Sequence, residues 1–397
     1  MTDPLSLPLD VLRSRTGDKW GRYGPDVIPA GLADMDVATA PPARRAIEDL
    51  LDRNDLGYAA DGLPDQVADA FARRMSERFG WFADPTGVRV LTDLVQGLSL
   101  CIELFSEPGD GVVVQTPCYP PILSEIEALG RRTVAHELRS ESEWRLDADE
   151  LAGLVDPNTP LLMLVNPHNP TGRCFTREEL EAVGEVAIER DLIVVSDEIH
   201  QDLVWDGRIH VPFASLSAEI ASRTVTLNSA AKSFNLAGLR CGLAHFGSPA
   251  LADCFDTFPA TQRGGPSVVG MAATLAVWSD DSSWQTDVLA ALHSRRDQVT
   301  VFLADHLPDV GYLPPEATYL AWLDFRALGL GDDPGTFFEE RALVALRDGP
   351  EFGHPGLGRA RLNFATSEAV LAEILERMVT ALDLRSRGDD RPTGSNG

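Results

Sequence analysis

Lysine is almost missing from this chain. Of its 34 lysine and arginine residues only Lys19 and Lys232 are lysine, so positive charge is ordinarily written here as guanidinium. Lys232 stands in Ser229-Ala-Ala-Lys232-Ser-Phe-Asn-Leu-Ala-Gly-Leu-Arg240. A lysine at that place points to chemistry closed to arginine: a desolvated amine can lose its proton and condense with an aldehyde, whereas guanidinium stays protonated. Lys19, in Gly17-Asp-Lys19-Trp20, is read as a survivor by chance and as the caution against resting on isolation alone.

A basic surface is lacking too. The formal net charge of −27 argues against nucleic acid or an anionic membrane as the main partner, so any bound anion must be gripped locally. The five cysteines form no C-x-x-C pair and no metal-ligand spacing, and an odd count fits poorly with a disulfide framework. Reduced thiols and a cytoplasmic location are expected. No apolar run reaches the roughly 18 residues of a membrane span, and Met1-Thr-Asp-Pro-Leu-Ser has neither the basic nor the apolar region of a secretory leader. Neither a P-loop nor a G-x-G-x-x-G after a strand occurs, which weakens nucleotide readings.

What is present is alternation. Val88–Leu91, Gly111–Gln115, Leu161–Val165, Leu192–Ser196 and Thr224–Leu227 read as buried strands, and Arg177 to Glu189 as an amphipathic helix with Leu180, Val183, Val186 and Ala187 on one face. This pattern predicts an α/β fold with a mostly parallel sheet covered by helices. A large domain over 46–275 is expected, with a smaller α+β domain from 1–45 and 276–385 and a polar tail at 386–397. Ligands of such sheets bind beyond the strands' carboxyl ends.

Four polar segments fall at those places. Asn166-Pro-His-Asn169-Pro-Thr-Gly172 is at least a tight turn. In Ser196-Asp197-Glu-Ile-His200, Asp197 either caps a helix or meets a cation such as a protonated pyridine nitrogen. Ser229, Lys232 and Arg240 combine groups suited to a phosphate monoester and an aldehyde, although a capped helix start is the plainer alternative. Arg361, in Arg359-Ala-Arg361-Leu-Asn-Phe364, alternates with apolar neighbours like part of a half-buried strand, and needs an anion, either a substrate carboxylate or a structural Asp or Glu. Phosphate, aldehyde, pyridine nitrogen and carboxylate together describe pyridoxal 5'-phosphate (PLP) joined to an amino acid.

With these residues in view, the chain resembles the fold-type I PLP-dependent enzymes of the aspartate aminotransferase superfamily, and within them the MalY/PatB-like cystathionine β-lyase branch. The resemblance runs from about Leu7 to Leu384 through Ala33-Asp-Met-Asp36, Gly57-Tyr58, Asn166–Gly172, Ser196–Val204, Ser229–Gly238 and Arg361–Thr366. It implies a sheet of the seven-stranded type. It further implies Lys232 as the Schiff-base anchor and Cα base, Asp197 on the pyridinium, Asn169 on the phenolic oxygen and Tyr119 stacked on the ring. The phosphate is assigned to the Gln96-Gly97-Leu98 backbone, with Ser229, Arg240 and a partner subunit's tyrosine corresponding to Tyr58, which implies a homodimer with shared active sites. His200 replaces the tyrosine usual in aminotransferases and points to the lyase branch. Arg361, with Asn169 and Gly31, is assigned to the substrate carboxylate, and no metal is implied.

The implied activity is β-elimination from cystathionine or another cysteine S-conjugate, a small amino acid thioether, to thiol, pyruvate and ammonia. Transamination is the nearest alternative, followed by decarboxylating or oxidative deamination in a specialised pathway and by a regulatory binding role without chemistry. Gly31 and Val37 carry less bulk than the family's usual residues, which is read first as neutral drift, with a widened or reshaped substrate pocket as the sharper alternative.

Overall fold

The computed structural model describes residues 3–387. The chain divides into two units: one comprises Thr39–His168 and Arg173–Ser282, the other the stretch up to Ala38, Asn169–Gly172 and the stretch from Ser283. Boundaries near 45 and 275 were expected. They fall outside two helices instead, because α1 (Pro41–Asp52) packs on the helix Val268–Trp278 of the same unit. Most of the expected tail, from 388 onward, lies outside the described residues.

The larger unit holds a seven-stranded sheet of β1 (Val88–Leu91), β2 (Gly111–Thr116), β3 (Arg132–Glu137), β4 (Leu161–Val165), β5 (Ile193–Asp197), β6 (Thr224–Asn228) and β7 (Gly242–Phe246), in the order β1-β7-β6-β5-β4-β2-β3. β7 runs antiparallel to both neighbours and the other pairings are parallel. Two of these strands escape a search for apolar runs. β3 is a polar edge strand with mostly exposed side chains, and β7 begins with Gly242 and carries His245 next to its last residue.

One core forms where Val114, Met163, Val195 and Leu227 of the sheet meet Leu98 and Ile102 of α2 (Leu94–Phe105). Each such side chain contributes about 1.5–3 kcal/mol on burial. The helix predicted over 177–189 is present as α3 (Arg177–Glu189), and Thr176 and Glu179 close a capping box at its start. This packing fixes the carboxyl ends of β4, β5 and β6, where Asn166, Asp197 and Ser229 stand.

The other unit contains a four-stranded antiparallel sheet of β8 (Gly311–Tyr312), β9 (Leu320–Asp324), β10 (Arg347–Asp348) and β11 (Arg359–Asn363), ordered β10-β11-β9-β8. Arg361 was expected in a half-buried strand. β11 is buried throughout, because β9 and β10 flank it on both edges.

Lys19 is no stray. Its Nζ lies 2.9 Å from Asp36 Oδ2 and 3.1 Å from Asp34 O, and Trp20 Nε1 donates to Asp36 Oδ1 at 2.7 Å. The ion pair is buried, 5% and 2% exposed, and pins Ala33-Asp-Met-Asp36. Removing Lys19 leaves the buried Asp36 with Trp20 Nε1 and a longer contact of 3.9 Å to Arg15 Nη1, so Lys19→Met is expected to cost about 3 kcal/mol of stability, measured by urea unfolding. A loss below about 1 kcal/mol would return Lys19 to the status of a bystander.

Candidate active site

In the larger unit the ladder between β4 and β5 continues one step past the strand, with Asn166 N donating to Asp197 O at 3.0 Å. Asn166 Oδ1 accepts from Phe175 N at 3.1 Å, and its buried Nδ2 has no partner among the described residues. Asp197 closes an Asx turn by accepting from Ile199 N at 3.1 Å, and no helix starts there to be capped. Burial pushes its carboxyl up to about 6, against the lowering effects of the Ile199 bond and the Lys232 charge and with a further rise from Glu198. A buried carboxylate so placed favours a cation.

Glu198 beside it is already satisfied. It accepts from Ser196 Oγ and Phe213 N at 2.9 Å each and pairs with His210 Nε2 at 3.0 Å. His200 is buried in the turns that follow.

Lys232 is half-buried in the turn after β6, close enough to lower the Asp197 pKa. The turn is closed by Phe234 N to Ala230 O and Leu236 N to Ala231 O, both at 3.0 Å. Phe234 anchors it from below, with the Arg74 guanidinium 5.8 Å from its ring and Arg74 bound to Asp202 at 2.7 Å. The segment is thus a set of turns, not a capped helix start. Tyr119 is half-buried directly before the helix Pro120–Ala128. Its neighbour Cys118 is buried, and burial with the nearby Asp197 charge pushes its thiol far above the usual range, so it stays protonated. Tyr58 lies in the same unit and is fully exposed.

The expected phosphate cradle needs correction. Because α2 starts at Leu94, its backbone N–H groups without an intrahelical acceptor are those of Leu94, Val95 and Gln96, and the last of these donates to the Asp93 side chain at 3.0 Å. Gly97 N already donates to Asp93 O at 3.3 Å and Leu98 lies a turn inside the helix, so neither offers its N–H to a ligand. Ser229 Oγ donates to Cys241 O at 2.6 Å and accepts from Ala231 N, while Arg240 Nη2 pairs with Asp93 Oδ2 at 2.9 Å. Asp93 went unnoticed in the sequence, although an Asp directly before an apolar helical run is an N-cap signal.

The other unit brings Arg361, Asn169 and Gly31 together. Arg361, 3% exposed, donates from Nη1 to Asn169 Oδ1 at 2.8 Å and from Nη2 to Gly31 O at 2.7 Å, with its guanidinium carbon 5.0 Å from the Phe352 ring. These neutral oxygens orient the guanidinium without cancelling its charge. Neither neutral drift nor a widened pocket accounts for Gly31. A Cβ at Gly31 would stand 2.7 Å from Arg347 N and Leu346 C, so glycine is required by the close approach of backbone and no bulk is missing from a pocket. Val37 is buried at 2% exposure.

The donor set fits PLP: a half-buried amine beside a buried carboxylate of raised pKa, and open helix N–H groups with a guanidinium at one end. Among the described residues no cluster of three metal-ligating side chains occurs. The model of the family described as aminotransferase class I and II matches residues 26–378. The chain belongs to that family. Within it, the chain is 35% identical over 379 residues to cystathionine beta-lyase PatB of Bacillus subtilis, covering 92% of this chain and 96% of that protein. Cystathionine beta-lyase of Corynebacterium glutamicum is 32% identical, with 94% and 99% covered. Among solved structures, the PLP-bound C-S lyase from Staphylococcus hominis matches with a TM-score of 0.87 at 26% identity, covering 96% of this chain and 98% of that one.

Proposed function

We propose that this chain is a PLP-dependent carbon–sulfur β-lyase acting on cystathionine or another cysteine S-conjugate. The observation that carries the reading is Asp197, a buried carboxylate whose pKa rises to about 6 next to the Lys232 amine. Relatives named as cystathionine beta-lyases support the reaction class.

Lys232 would hold the cofactor through its ε-amine and Asp197 would keep its ring nitrogen protonated, with Tyr119 and Asn169 as the further residues that the family resemblance assigns to it. Ser229, Arg240 and the start of α2 would take the phosphate. When bound, PLP supplies an aldehyde that condenses with amines and a cationic ring that accepts the electron pair left on Cα. Arg361 binds the substrate carboxylate through two parallel N–H groups and thereby fixes which Cα bond is presented for cleavage. Lys232 Nζ, once free, takes the Cα proton and returns it toward the departing sulfur. The Cα–H and Cβ–S bonds break, and with water the products are thiol, pyruvate and ammonia. The fully exposed Tyr58, with Leu56 also exposed beside it, supports a homodimer in which Tyr58 serves the partner's site. Five unbridged cysteines support a cytoplasmic location.

Transamination is the second reading, favoured by the description of the family model. Loaded enzyme is incubated with cystathionine and several cysteine S-conjugates, with and without a 2-oxo acid. Pyruvate and free thiol without the oxo acid are expected. Turnover that depends on the oxo acid establishes the transaminase, and oxygen uptake or carbon dioxide release the oxidative or decarboxylating route.

A further inference from the structure

The amino end of α2 is closed on itself. Asp93 Oδ1 accepts from Gln96 N at 3.0 Å, and Asp93 Oδ2 lies 2.9 Å from Arg240 Nη2. One carboxylate therefore occupies both an open donor of the helix and the guanidinium that the proposed function gives to the phosphate. Its surroundings hold it there. Gln96 Oε1 accepts from Thr92 N and Gln96 Nε2 donates to Gln262 O, both at 3.0 Å. A Cβ at Gly242 would stand 3.0 Å from Asp93 C and 3.1 Å from its Cα, so β7 presses on the backbone at this point.

We propose that Asp93 is an internal competitor for the cofactor's phosphate, loosening the chain's grip on PLP and making the cradle self-satisfied when the cofactor leaves. The proposal rests on the PLP reading above. A phosphate monoester carries about −1.5 to −2 charge at neutral pH and takes the same kinds of donor that Asp93 holds. On loading, the carboxylate either gives up Gln96 N and Arg240 or stays beside a like charge, and both weaken binding. Its capping function does not need the charge, since Asn and Ser cap helices about as well as Asp.

The test measures binding without catalysis. Equilibrium dialysis of PLP and of pyridoxal, which lacks the phosphate, is run against apoenzyme of the wild type, Asp93→Asn and Asp93→Ser. Both variants are expected to bind PLP on the order of tenfold tighter, about 1.4 kcal/mol, with pyridoxal affinity unchanged. The apoenzyme melting temperatures are expected to stay within about 2 °C of wild type, as a retained cap requires. PLP affinity that is unchanged or weaker in both variants overturns the proposal, and so does an equal gain for pyridoxal. Failure of the wild type to bind PLP at all overturns the cofactor reading and the proposal with it, whereas binding without the gain overturns the proposal alone.

Discussion

Lys232→Ala is expected to lower kcat by on the order of 10^4-fold or more, since it removes both the covalent anchor and the Cα base. Lys232→Arg is expected to fall as far. It restores a cation near Asp197 but no amine that can lose its proton, so the pair of variants separates chemistry from electrostatics. Borohydride reduction of loaded wild type should fix the cofactor to one peptide, the one carrying Ser229-Ala-Ala-Lys232. The scarcity of lysine makes this decisive. The only other lysine is Lys19, and its amine is buried against Asp36 at 2.9 Å. Retention of more than about 1% of kcat by Lys232→Ala, or a label elsewhere, would sink the assignment.

The residues legible in the sequence were those whose chemistry is unusual for their composition or position. Lys232 stood out among arginines, Asp197 lay at the end of an apolar run, and Arg361 sat among apolar neighbours. Period and turn chemistry placed their elements to within a residue, because each run ends where the strand leaves the core. The misreadings came where long-range packing decides. Lys19 gains its role from Asp36, seventeen positions on. Gly31 is glycine because Leu346 and Arg347 pass close by, over three hundred residues away. The phosphate cradle was placed two residues too far along for a local reason, since the first turn of α2 is set by its cap, Asp93, and not by the apolar stripe that follows. β7 escaped because its polar His245 is buried through partners on other elements, Trp81 among them at 5.0 Å.

Asp197→Asn should weaken catalysis and strengthen the empty protein at the same time. With no cation on the ring nitrogen, the Asp197 carboxyl titrates near 6 in the folded chain, above the ordinary value of 3.8. A rise of about two pKa units corresponds to roughly 3 kcal/mol. Because the folded-state pKa lies above the unfolded one, folding favours the protonated form. The penalty is absent below about pH 4, grows as pH rises through about 6 and is complete above it. In urea unfolding of apoenzyme, Asp197→Asn is therefore expected to exceed wild type by about 1–3 kcal/mol at pH 8 and to match it at pH 4, since Asn keeps the acceptor for Ile199 N. In the loaded enzyme the order reverses. Asn cannot hold the proton on the ring nitrogen, so kcat should fall on the order of 10^3-fold, and the cofactor should lose its stabilising effect on unfolding. A variant less stable than wild type at pH 8 in the apo form would show that Asp197 already has its cation within the chain, and the pairing with the pyridine nitrogen would then fail.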